Sequence, residues 1–283
     1  MSNIKIKKFL SCFSIETTPS SAAKINHFSE FIPKKTSIYI AHIEGTPIED
    51  MVNTAKKITT EGFIPVPHFP ARIIKNKDQL KDWIDKYQSE ANVQDALLIA
   101  GGIKKPYGDF DSSIQLIETE FFDIAGFQNL YVAGHPEGSI DIDPDGSTTN
   151  VDKAISWKQK FSERTDSQIA ITTQFCFDAS SVIKWVNRLK AMGVDVPIHI
   201  GVAGPAKLQT LLRYSIECGV GASLKILQKR AKDITKLLLP YKPTVFLEEL
   251  AEYKKINPDF NIQKVHFYPL GGIKQIKNFV SEL

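Results

Sequence analysis

Short apolar runs that stop abruptly in polar or aromatic chemistry recur along the chain. Lys8 to Glu16 closes on Ser14-Ile15-Glu16, Ser37 to His42 on Ala41-His42, Phe63 to His68 on Pro67-His68, and Asp95 to Gly102 on Ala100-Gly101-Gly102. Later runs close on Ala133-Gly134-His135, on Thr173-Gln174, at His199 and on Phe267-Tyr268. Runs of this length and composition read as buried strands. Between them the spacing predicts helices over roughly Ser20–Phe31, Pro47–Thr60, Lys77–Ser89, Ser112–Asp123, Val151–Arg164, Ala179–Met192 and Pro205–Cys218. Thr18-Pro19-Ser20-Ser21, Gly45-Thr46-Pro47 and Asp178-Ala179-Ser180 are helix starts, and Gly62 and Gly193 sit where helices should stop. From Gly221 to Pro258 two helix-like segments flank Leu239-Pro240-Tyr241-Lys242-Pro243, more than one crossover needs. This stretch reads as a helical insertion before a last strand at Lys264–Tyr268.

Strand and helix alternating about eight times is the order of an α/β protein with a (β/α)8 TIM barrel, whose ligands bind at the carboxyl ends of the strands. The chain has 283 residues, 42% of them hydrophobic, which suits one barrel domain spanning residues 1–283. No apolar run approaches the roughly 18 residues of a membrane span, and the basic start at Lys5, Lys7 and Lys8 lacks a signal peptide's apolar core. A cytoplasmic protein with no membrane partner is expected. The formal charge of +3 is small and its basic residues alternate with acidic ones, which argues against nucleic acid and leaves anionic small molecules open. Cys12, Cys176 and Cys218 are odd in number and widely spaced, as reduced thiols are.

Several strand ends carry candidate chemistry. Glu16 ends the first run; inside a barrel mouth a carboxyl group is partly desolvated, which raises its pKa toward that of a neutral-pH proton donor. An N-terminal helix charge near Ser20 is the other reading, and position alone favours neither. His68 can bind a phosphate or a ring edge, or serve as a satisfied structural histidine. Ala100-Gly101-Gly102 admits close approach of a planar or phosphorylated ligand, or forms a turn. Ala133-Gly134-His135-Pro136-Glu137-Gly138 has the same two readings, and Gly271-Gly272 lies where many barrels bind phosphate. None of these is a Gly-x-Gly-x-x-Gly fingerprint or a P-loop. His42, His68, His135, His199 and His266 fall in or at the end of strands, which invites a metal-dependent hydrolase. The first strand lacks His-x-His and the last lacks a terminal aspartate, so no residue is named as a metal ligand.

Taken together these segments resemble the methylenetetrahydrofolate reductase family over nearly the whole chain. Ser14-Ile15-Glu16-Thr17-Thr18-Pro19 is similar to that family's Phe-Glu-Phe-Phe-Pro, Pro67-His68 to its Pro-His pair, and Ala133-Gly134-His135-Pro136-Glu137-Gly138 to its Gly-Tyr-Pro-Glu-Gly. Thr173-Gln174-Phe175-Cys176-Phe177-Asp178 is similar to Thr-Gln-x-x-Phe-Asp, and Ala191 to Ile198 to the Ala-Gly-Ile-x-x-Pro-Ile lead into strand seven.

The resemblance implies FAD at the mouth of the barrel, NADH or NADPH as electron partner, and tetrahydrofolate derivatives as substrates, interconverting 5,10-methylenetetrahydrofolate and 5-methyltetrahydrofolate by hydride transfer at flavin N5. It makes Glu16 the catalytic acid. Ala41, His42, His68, Gly101, Gly102, Ala133, His135 and Lys160 would hold the cofactor, and Gln174, Phe175 and Gln209 the folate. The family's Arg-Gly-Asp is Ala100-Gly101-Gly102 here, so its aspartate falls on Gly102. Its tyrosine is His135, a threonine becomes Ala41, and Phe-Tyr-x-Leu-Asn becomes Phe267-Tyr268-Pro269-Leu270-Gly271. Loss of a carboxylate beside a flavin eases its reduction. These departures leave open the direction of the reaction and a barrel that binds flavin or folate without turnover, as a partner or regulatory protein. Self-association into a homo-oligomer is left open too.

Overall fold

The computed structural model describes residues 6–7, 9–220, 227–228 and 240–283. Its strands are β1 (Phe13–Thr17), β2 (Ser37–Ile40), β3 (Ile64–Pro70), β4 (Asp95–Ile99), β5 (Asn129–Gly134), β6 (Gln168–Cys176), β7 (Ile198–Ala203) and β8 (Ile262–Tyr268). They run side by side in chain order and close on themselves. The helices between them are α1 (Pro19–Ala22), α2 (Ile48–Thr60), α3 (Lys77–Ala91), α4 (Ser113–Ile117), α5 (Phe121–Ile124), α6 (Thr149–Ser162), α7 (Ala179–Ala191), α8 (Leu208–Glu217) and α9 (Thr244–Ile256), with α10 (Ile273–Ser281) after β8. The fold is the (β/α)8 barrel that the strand and helix pattern predicts. Among the described residues no helix is long and apolar enough to cross a membrane.

Where the chain departs from the sequence expectation, a local bond explains it. The first strand starts at Phe13, not Lys8, because Leu10 N–H is engaged by the Ile6 carbonyl at 2.8 Å in a helical turn. The helix expected over Ser20–Phe31 ends at Ala22: Lys57 Nζ takes the carbonyls of Ala22 and Ile25, and Phe28 N–H donates to the Glu61 carboxylate at 2.7 Å to open a separate 3-10 turn. The helix expected over Ser112–Asp123 is two pieces. Glu120 stands at φ 62° between them, and Thr119 Oγ1 donates to the Leu116 carbonyl while accepting Phe121 N–H. The helix expected from Pro205 begins at Leu208, since Ala206 exchanges both backbone bonds with Tyr241 at 3.3 and 3.0 Å. Of the expected insertion, α9 is present; the earlier helix-like segment lies almost wholly outside the described residues.

The chain packs as two compact units. One comprises Ser14–Ala133 with Lys160–Ile171, the other the remaining described residues. In the first, strand alternation sorts side chains onto two faces. Phe69 packs edge-on against Phe122 at 5.1 Å and tilts against Tyr87 of α3 at 5.4 Å. The opposite face carries a second cluster of Tyr39, Val66, Leu97, Tyr131 and Ala170, one from each of β2 to β6.

In the other unit β7 and β8 place His199 opposite Lys264, Gly201 opposite His266 and Ala203 opposite Tyr268. Gly201 N–H donates to Thr173 Oγ1 at 2.8 Å, and a Cβ there would stand 2.4 Å from the Thr173 carbonyl, so only glycine fits. His199 and His266 are buried, and that burial, with the nearby charge of Lys264, pushes each imidazole down to about 3.

Both rings are thus neutral in the folded chain, whereas an unfolded chain protonates them near pH 6.5. Below that value the unfolded state binds more protons. Their contribution to stability is complete above pH 6.5 and drains away as pH falls toward 3, by up to about 1.4 kcal/mol per pH unit for each ring. Urea midpoints should therefore drop between about pH 6.5 and pH 5, and less steeply in His266→Gln. A midpoint flat over that interval contradicts this reading of the two histidines.

Candidate functional site

Chemistry-bearing residues gather separately in the two units. In the first, Glu16 lies opposite Tyr39 in the β1–β2 register, Tyr39 opposite Val66, His68 opposite Leu97, and Leu97 opposite Tyr131. Register partners in parallel strands point the same way, so one face presents a carboxyl, an imidazole and two phenols. Glu16 Oε2 stands 3.4 Å from His68 Nε2. The His68 ring meets Tyr39 edge-on at 6.3 Å, and Tyr39 tilts against Tyr131 at 5.2 Å. Burial pushes the Glu16 carboxyl above the usual carboxylate range, and the neighbouring His68 pulls it part of the way back. Ala41 continues this face of the chain, with its N–H on the Thr17 carbonyl at 2.8 Å.

The loop after β4 is held in place by Arg72, which follows β3. Its N–H donates to the Ala100 carbonyl at 2.9 Å and its carbonyl accepts Tyr107 N–H at 2.8 Å. Its guanidinium grips the Asp111 carboxylate at 2.8 Å and the Ile103 carbonyl at 3.1 Å. Tyr107 also hydrogen-bonds to Glu44 of the loop after β2. Within this braced loop Gly101 has φ +97° with Pro70 against it, whereas a Cβ on Gly102 would meet nothing within 4 Å. Gly102 is exposed, and its backbone is open to a ligand.

His42 departs from its expected role. It shares the parity of Ile38 and Ile40, stacks on Trp83 of α3 at 4.9 Å, and donates Nε2–H to the Thr46 carbonyl at 3.0 Å. Burial lowers its pKa, so it is a neutral packing residue between strand and helix and not part of the Glu16 face.

In the other unit, His135 follows β5 and Lys158 sits on α6. The Asp143 carboxylate fixes the start of this helix by accepting Asn150 N–H at 2.9 Å and Val151 N–H at 3.0 Å. Val151, Ile155 and Lys158 recur at helical spacing and form its buried stripe. Lys158 is 6% exposed, and no carboxylate among the described residues pairs with it. Burial brings its ammonium down to about 8. His135 is pushed down to about 4, chiefly by burial and further by the charge of Lys158. Lys160, the lysine expected to meet a phosphate, is exposed on another face of α6. Two residues along a helix turn a side chain by about 200°, so only one of the pair faces inward, and that one is Lys158.

Gln174 is partly exposed, and its Oε1 accepts Phe175 N–H at 3.1 Å. Phe175 is 1% exposed, edge-on to Phe177 at 5.8 Å and to Tyr268 at 5.3 Å, within a cluster with Ala203, Leu208 and Leu211. It is a core residue that supports Tyr268 and not a contact surface. Tyr268 OH donates to the Thr173 carbonyl at 2.9 Å. Gln209 is exposed in the first turn of α8, and Ala133 is partly exposed on the parity of Tyr131. Among the described residues no three of His, Cys, Asp and Glu gather as a metal-holding group.

No family model matches the chain. Among solved structures it is similar to an uncharacterized protein from Clostridium thermocellum that binds two copies of 5-methyl-5,6,7,8-tetrahydrofolic acid, with a TM-score of 0.58 and 11% identity over 97% of this chain and 98% of that one. It is also similar to 7,8-dihydropteroate synthase from Vibrio fischeri ES114, with a TM-score of 0.46 and 8% identity over 96% and 92%. At such identities the first likeness bears on the barrel fold alone, and the second is too weak to carry an argument.

An unpaired buried ammonium is costly, and Lys158 shows it in its pH dependence. Its folded pKa of about 8 lies below the unfolded 10.5. Between these values the unfolded chain holds the extra proton, so stability rises with pH across that window. Lys158→Met should stabilise the ligand-free protein near pH 7 by on the order of 3 kcal/mol and flatten the rise, whereas Lys160→Met should do neither. Equal urea midpoints for the wild type and Lys158→Met at about pH 7 would refute the assignment.

Proposed function

We propose that this barrel binds a reduced folate against the face that carries Glu16 and His68, with Glu16 as the proton donor to a folate nitrogen. The observation that carries the reading is the Glu16–His68 contact at 3.4 Å, with Tyr39 edge-on to the imidazole and Tyr131 beyond it. A heterocycle with basic ring nitrogens suits such a surface, since the partly exposed Glu16, its carboxyl raised by burial, can supply a proton. Support also comes from the similar barrel of the Clostridium thermocellum protein, which binds 5-methyltetrahydrofolate.

The finer reading is an FAD-dependent oxidoreductase that interconverts 5,10-methylenetetrahydrofolate and 5-methyltetrahydrofolate, with NADH or NADPH as electron partner. In the unit that carries Glu16, the open backbone at Gly102 suits the edge of the cofactor's ring, since a Cβ there would meet nothing within 4 Å. FAD, when bound, supplies the hydride acceptor and donor. Around it the chain's task is proton management. Glu16 gives its proton to the folate nitrogen as the bond from that nitrogen to the one-carbon unit breaks, and His68 steadies the carboxylate that remains.

A second reading, binding without turnover, is favoured by Gly102, which stands where the family resemblance expects an aspartate. The two readings separate in one experiment. Purified protein is titrated with FAD and 5-methyltetrahydrofolate by calorimetry, and the bound flavin is then chemically reduced and mixed with 5,10-methylenetetrahydrofolate in a stopped-flow instrument. Reoxidation of the flavin is expected, slowed about 10²–10⁴-fold in Glu16→Gln. Folate binding with no flavin reoxidation establishes the second reading, and failure to bind either folate overturns both.

A further inference from the structure

We propose that His68 is the positioning residue for the Glu16 proton: its imidazole edge, with Nε2 3.4 Å from Oε2, favours negative charge on that oxygen, which leaves the acid proton on Oε1 and steadies the carboxylate once that proton has left. This inference rests on the reading of Glu16 as a proton donor. Its footing is the placement of the two groups. They sit on strands separated by β2, yet approach to 3.4 Å, and the His68 side chain is 9% exposed against 20% for Glu16. The less solvated partner is the imidazole, so water screens the pair weakly from that side.

The groups around the pair leave His68 as the charge that acts on Glu16. Tyr39 on β2 and Tyr131 on β5 present phenols, and Leu97 and Ile99 on β4 are apolar. His42 is turned onto Trp83, and Arg72 spends its guanidinium on Asp111 and Ile103. Burial and His68 are the two influences on the carboxyl, and they oppose each other. A carboxyl raised by burial alone would hold its proton too tightly to give it up. An imidazole edge beside one oxygen favours the ionised form and leaves the remaining proton on the other. In the transfer, the Glu16 O–H bond breaks, an N–H bond forms on the acceptor, and the carboxylate that remains stands beside the His68 imidazole.

The test follows the carboxyl directly. Protein labelled with ¹³C at glutamate carboxyl carbons is titrated by NMR, with Glu16→Gln identifying the resonance. His68→Phe keeps a ring edge-on to Tyr39 but removes the N–H, and should move the Glu16 midpoint up by about one pH unit or more, a tenfold change in its acid constant. His68→Gln carries an amide N–H at a similar reach and should bring the midpoint back toward wild type. Should His68→Phe fail to fold, His68→Met removes the N–H in its place. A Glu16 midpoint that stays put or falls in the N–H-free variant, or that rises equally in His68→Gln, overturns the proposal. If the midpoints move as expected while no folate binds, the pairing stands and the folate reading falls.

Discussion

The arrangement depends on a carboxyl group kept out of water beside an imidazole. A partly buried carboxylate is expensive, and the chain lowers that cost with one neighbour, His68, and not with a cation such as lysine or arginine. A lysine or arginine there would lock Glu16 as an anion. Histidine leaves it able to hold a proton and to release one, which suits a surface meant to exchange protons with a ligand. Arg72, just after β3, is spent on bracing the loop after β4.

The other unit shows the opposite economy. Among the described residues Lys158 is a cation left without an anion, and His135, His199 and His266 are held neutral by burial. A folded chain tolerates such a cost where a ligand offsets it, so the uncompensated ammonium reads as a provision for an anion in its own unit.

Much of this was legible in the chain. The short apolar runs and their abrupt polar ends located every strand, and Glu16 and His68 were singled out because strand ends in a barrel carry chemistry. Tyr39 and Tyr131 were missed although the same alternation places them with Ala41 and Ala133. Lys160 was expected from the family resemblance alone, and Lys158 was not singled out. The stripe of Val151, Ile155 and Lys158 was the signal that could have decided between them. His42 shows a further limit: it lies one residue beyond Ala41, and that single step turns it onto Trp83. Phe175 resembles a contact residue in its motif but is consumed by packing against Phe177 and Tyr268, which no local pattern reveals. The shortened helix at Ala22 follows from the long-range bonds of Lys57, which are invisible to spacing.

The central claim is that the Glu16–His68 face receives the reduced folate. A crystal structure of the protein with 5-methyltetrahydrofolate tests it most directly. The account requires a pterin nitrogen within hydrogen-bond reach of Glu16, about 2.6–3.2 Å or one bridging water away, with the ring system against the face that bears Tyr39 and His68. A well-ordered folate bound elsewhere, with Glu16 and His68 touching only protein or solvent, would contradict it.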